Sequence, residues 1–79
     1  MKTLMYTVRI EPAEEGGYVV TCPALPGLVT EGDTLEEARH MAKAAVRAYL
    51  ESLAKDGLAV PSDKDLRLDP VKERVTVLL

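Results

Sequence analysis

Tryptophan and phenylalanine are absent from this 79-residue chain, tyrosine occurs three times, and cysteine and histidine once each. Each scarcity removes a class of function. Cys22 alone forms no internal disulfide, and with His40 as the only histidine there is no Cys/His set of zinc spacing. Three tyrosines do not make a platform for stacking bases. No basic stripe appears on reading along the chain. The net charge of −3 disfavours a phosphate backbone, whose affinity rests on clustered Lys and Arg releasing counterions. No apolar run is long enough to cross a bilayer, and residues 1–10 are interrupted by polar side chains too often for a signal sequence. The chain reads as soluble and cytoplasmic, with no membrane partner.

What is present is an ordinary globular balance, with 47% hydrophobic and 29% charged residues. The length fits one domain, residues 1–79, near the lower limit for standing alone. Without a disulfide or a metal cluster, self-association is the remaining stabiliser, so a dimer or tetramer is expected.

Leu4, Tyr6, Val8 and Ile10 alternate with Thr3, Met5, Thr7, Arg9 and Glu11, the period of a strand with one buried face. "PAEEGG" (residues 12–17) reads as a hairpin loop with an acidic tip. "YVVTC" (residues 18–22) makes a second, antiparallel strand with Tyr18, Val20 and Cys22 on one face. Pro23 and Pro26 cannot donate to a ladder, and "PG" presets a turn in which Gly27 accepts positive φ. Residues 28–31 resume as a short third strand at an edge, ended by Gly32.

A helix follows. Asp33 and Thr34 each precede a glutamate by three residues, Glu36 and Glu37 respectively, so either one completes a capping box. Leu35, Ala38, Ala42, Ala45, Val46, Tyr49 and Leu53 form one stripe, with Glu36, His40, Lys43, Arg47 and Glu51 opposite. Gly57 is placed to terminate a helix of about 22 residues. Residues 58–70, broken by two prolines, read as a connection back to the sheet. Val71, Glu73, Val75, Val77 and Leu79 then alternate along a fourth strand. The expected order is β-β-β-α-β, an α+β fold with one helix on one face of a four-stranded sheet.

Gly17-Tyr18, Cys22-Pro23, Leu25-Pro26-Gly27, residues 30–34, Glu36-Glu37-Ala38 and Pro61 form an ordered series that resembles the HicB family of antitoxin-like domains. The resemblance implies a truncated ribonuclease-H-like fold: a mixed sheet of order 3-2-1-4, the last strand parallel to the first, joined by a right-handed crossover. It also implies dimers or tetramers, and a partner in HicA, a small basic toxin that cuts messenger RNA with a histidine. Many relatives add a C-terminal DNA-binding segment. This chain ends at Leu79, so no separate DNA-binding domain and no operator contact are expected. Ala24 stands where the family often carries an acidic residue.

Cys22 has no basic partner in sequence to make it a thiolate, and reads as a buried structural residue. His40 lies on the polar side of the helix without an orienting constellation. Two-metal hydrolysis needs converging carboxylates with cations ~3.5–4 Å apart. Glu11, Glu36, Glu37 and Glu73 are too dispersed for that. No catalytic, cofactor or metal residues are assigned, and no enzymatic activity is expected. Glu14, Glu15, Glu31, Asp33, Glu36 and Glu37 form an acidic rim, in which Glu31, Asp33, Glu36 and Glu37 are the candidate contacts for a basic toxin. Pro23, Pro26, Gly27 and Gly32 are expected as structural turn residues. The function expected is antitoxin-like protein binding. The alternative is a stand-alone oligomeric scaffold or small-ligand domain without a toxin.

Overall fold

The computed structural model describes residues 3–61, 63 and 72–78. The first alternating stretch forms β1 (Thr3–Pro12), followed by β2 (Tyr18–Thr21), β3 (Val29–Gly32), helix α1 (Leu35–Lys55) and β4 (Lys72–Leu78). The sheet order is β3-β2-β1-β4. The expected connection over residues 58–70, like Val71 and Leu79 of the expected fourth strand, falls partly or wholly outside the described residues.

The sheet is entirely antiparallel, which corrects the expected mixed sheet. β4 pairs antiparallel with β1, Tyr6 opposite Val75 and Leu4 opposite Val77. The handedness rule for parallel crossovers therefore has no application here. α1, about 31 Å long, runs from the end of β3 back over the sheet. A parallel β4 would start where the helix stops. The observed β4 instead begins at the end of the sheet where α1 starts, with Lys72 opposite Arg9.

One face of the sheet packs on α1. Tyr6, Val8 and Ile10 from β1, Val20 from β2, and Val75 and Val77 from β4 meet Ala38, Ala42, Val46 and Leu50 of the helix. The expected stripe is correct in its flanks, since Leu35, Ala45, Tyr49 and Leu53 are partly buried against the core. Its axis is different: the fully buried row is 38-42-46-50, a four-residue ridge that adds Leu50. Burying a leucine of this kind contributes about 1.5–3 kcal/mol.

Residues 22–28 complete the core. The Leu25 N–H donates to the Cys22 carbonyl and the Leu28 N–H to the Leu25 carbonyl, each at 3.1 Å, giving two consecutive β-turns. Pro23 and Pro26 both occupy the second turn position, where their fixed φ suits the bend. Gly27, at φ +86°, takes the left-handed third position of the second turn. The turns tuck Ala24, Leu25 and Leu28 under the sheet, each less than a tenth exposed.

Gly32 is not a turn residue, contrary to expectation. It is the buried last residue of β3, and a Cβ there would lie 2.5 Å from the Ala38 nitrogen and 2.8 Å from its Cα. Only glycine lets the first turn of α1 approach the strand so closely.

Candidate functional site

The helix start is fixed locally. Thr34 is the N-cap: its backbone is extended (φ −121°, ψ 164°) and its Oγ1 accepts the Glu37 N–H at 3.0 Å. The sequence left Asp33 and Thr34 open, and the backbone selects Thr34. Glu36 and Glu37 then stand in the first turn, exposed, where the unpaired N–H groups favour negative charge. At the other end Asp56 is the C-cap and Gly57, at φ +71°, follows it. The Gly57 N–H donates to Ala54 and the Leu58 N–H to Leu53, the bond pair of a Schellman motif.

The acidic residues gather at one end of the sheet and divide between its faces. The register sets Pro12 opposite Tyr18 and Tyr18 opposite Gly32, so the β1–β2 loop with Glu14 and Glu15, the end of β3 and the helix start are neighbours. Asp33, Glu36 and Glu37 lie on the helix side of that end. Glu31 pairs with Val19 on the opposite, open face, because side chains alternate along β3. The four candidate contacts thus wrap around an edge and do not form one flat patch.

The single cysteine and the first tyrosine serve structure. Extending the β1–β2 register by two residues places Pro23 opposite Thr7. Proline has no N–H to offer the Thr7 carbonyl, and its presence diverts the chain into the turn. The Cys22 thiol donates to that carbonyl at 3.5 Å. Asp63 accepts from the Thr7 N–H at 3.1 Å and from the Thr7 hydroxyl at 2.8 Å. The Tyr6 hydroxyl donates to the Pro61 carbonyl. Burial pushes the Cys22 thiol and the Tyr6 phenol above their ordinary ranges, and the nearby Asp63 adds to both. Cys22 is therefore held as the neutral thiol, the form without nucleophilic power.

Two features escaped sequence reasoning. Glu73 was read on an otherwise apolar face of the last strand. That anomaly was the available signal, for it meets a helix side chain: the Arg39 guanidinium grips it with three contacts of 2.8–3.1 Å. The hydrogen bond to Glu73 raises the Arg39 pKa further. The second feature is Arg39's place in a basic row: at helical spacing of four it joins Lys43 and Arg47, which the polar stripe already held. His40 is exposed beside it. Among the described residues no group of three or more His, Cys, Asp and Glu is placed to hold a metal ion, and no helix is long and apolar enough to cross a membrane.

The profile of the HicB-like antitoxins of bacterial toxin–antitoxin systems matches residues 6–74. The chain belongs to the HicB-like antitoxin family. A UPF0150 protein of Thermoplasma acidophilum is 50% identical over 60 residues, which are 76% of this chain and 87% of that protein. Antitoxin HicB 1 of Photorhabdus laumondii is 43% identical over 61 residues, 77% of this chain but 39% of that antitoxin. This HicB-like chain thus spans well under half of that antitoxin and most of the UPF0150 protein. Among solved structures, the N-terminal domain of the Burkholderia pseudomallei antitoxin HicB superposes with a TM-score of 0.76 at 24% identity, covering 96% of this chain and 100% of that one. A HicA3–HicB3 toxin–antitoxin complex contains a chain with a TM-score of 0.71 at 24% identity, covering 91% and 95%. These two likenesses are of fold.

Proposed function

We propose that this HicB-like domain is the antitoxin-like partner of a small, basic, HicA-type mRNA-cleaving toxin and neutralises it by direct contact in the cytoplasm. The observation that carries the reading is the family match over residues 6–74, on a fold that superposes on the N-terminal domain of an antitoxin HicB and on a chain of a HicA3–HicB3 complex. The contact surface is the acidic end, with Asp33, Glu36 and Glu37 on the helix side and Glu31 around the edge. The domain works by binding and carries no catalysis of its own. Its exposed carboxylates speed the encounter with a cationic partner more than they deepen affinity. The domain also associates with copies of itself, as a dimer or tetramer.

The test is charge reversal at the helix start. With the purified HicA-type partner, Glu36→Lys/Glu37→Lys lowers the association rate at low ionic strength by about tenfold or more, and high salt removes the difference. The reversal also weakens the helix start by roughly 0.3–1 kcal/mol per residue, so folded fraction is matched by circular dichroism before rates are compared. An unchanged association rate rejects the acidic end as the contact. A second reading is a stand-alone scaffold or small-ligand domain without a toxin. It draws on the match to most of the length of a UPF0150 protein. Failure of the native cell extract to yield a small basic protein bound to this chain favours it.

A further inference from the structure

On a protein of net charge −3, the basic row of α1 borders a concave surface. Arg39 and Lys43 join Glu73, Arg74, Val75 and Thr76 of β4, with Ile10 beneath, around a depression of about 240 Å³. A second depression of about 360 Å³, lined by His40, Lys43, Ala44 and Arg47, continues it across the helix. Lys43 belongs to both. Arg39 neutralises Glu73, and Arg47 approaches Glu51 at 3.6 Å. Lys43 has no ion-pair partner among the described residues.

A phosphate polymer is a poor occupant for this groove. The chain as a whole repels it, Glu73 lines the wall, and Ile10 and Val75 give the base an apolar character. A second copy of this chain is a good one. The β1–β2 loop carries Glu14 and Glu15, both exposed. It begins just beyond Ile10, so the acidic tip and the basic groove lie side by side at one end of the sheet. A two-fold axis between them seats each tip in the other's groove, forming both contacts at once and closing the assembly at two copies. The competing two-fold, α1 against α1 centred on residues 43 and 44, sets Glu36 against Glu51, both exposed, and is disfavoured by like charge.

The geometry points to a reciprocal dimer in which the Glu14–Glu15 loop of each copy docks on the Arg39–Lys43 groove of the other. This rests on the self-association proposed above and names its surface. Lys43→Glu alone and Glu14→Lys/Glu15→Lys alone each set like charges together at both contacts. Each variant weakens the dimer at least about tenfold in analytical ultracentrifugation at about 50 mM salt, and Lys43→Gln weakens it less. Mixed together, the two reversed variants have opposite charges at both contacts, and a heterodimer of near-wild-type affinity forms. All positions changed are exposed, and unchanged circular dichroism verifies that the variants are folded. A wild-type chain that stays monomeric overturns both self-association and this surface. A dimer indifferent to all three variants, or a mixture that restores nothing, overturns the surface alone. So does an RNA oligomer whose binding Lys43→Glu abolishes while the dimer is untouched.

Discussion

Gly32→Ala is the substitution that most directly probes how the helix start is held. The added Cβ falls 2.5 Å from the Ala38 nitrogen, 2.8 Å from the Ala38 Cα and 2.9 Å from the Glu37 carbonyl carbon. All three are backbone atoms, so no side-chain rotation relieves the clash. Restoring ordinary contact near 3.4 Å requires about 1 Å of separation between β3 and the first turn of α1, and forced core displacements of this kind cost about 1–3 kcal/mol or more. The same displacement loosens Ala38, which is fully buried, and the Thr34 cap beside it. We expect a loss of about 2–4 kcal/mol. A domain of this length has about 4–12 kcal/mol in total. At roughly 4–8 °C per kcal/mol, the midpoint falls by about 10–30 °C.

Gly57→Ala is the matched control. Gly57 has φ +71° and nothing within 4 Å of its added Cβ, so its cost is the left-handed backbone alone, roughly 1–2 kcal/mol. Urea unfolding at fixed protein concentration measures both, so that self-association does not distort the comparison. The double variant Gly32→Ala/Ala38→Gly recovers nothing, because the obstacle at residue 38 is its backbone. A Gly32→Ala protein within about 0.5 kcal/mol of wild type, or a rescue by Ala38→Gly, refutes the reasoning.

Leu50→Ala removes a fully buried side chain from the end of the helix ridge and destabilises by about 2–5 kcal/mol in the same urea assay, whereas Leu53→Ala, only partly buried, costs less. Thr34→Ala deletes the cap and costs about 0.5–2 kcal/mol, while Asp33→Ala, one residue earlier, has the smaller effect. Cys22 and Tyr6 bind their protons more tightly when folded than when unfolded. Their contribution is complete below the unfolded pKa values and is lost as pH rises through the raised folded ones, so stability declines on the alkaline side. Denaturant midpoints across neutral to alkaline pH measure this, and Tyr6→Phe/Cys22→Ala flattens the decline.

Local chemistry made much of this protein legible without its structure. The β1 alternation, the two proline turns around Leu25, the N-cap ahead of α1 and Gly57 are each decided by hydrogen bonds or φ preferences spanning four or five residues, and such signals are complete within a short window. The choice between Asp33 and Thr34 needed only the backbone angles at one position. Tertiary structure decided the rest. The direction of β4 is set by its pairing with β1, which no periodicity encodes. Gly32, legible as a strand breaker, acquired its contact with Ala38 from the angle at which helix meets sheet. Leu50 joined the core because the ridge facing the sheet follows four-residue steps, while sequence spacing permits several neighbouring stripes. Arg39 with Glu73, and Asp63 with Thr7, stand 34 and 56 residues apart. Pairings at that separation exist only once the chain has folded, because their geometry belongs to the packing of elements and to no single one of them.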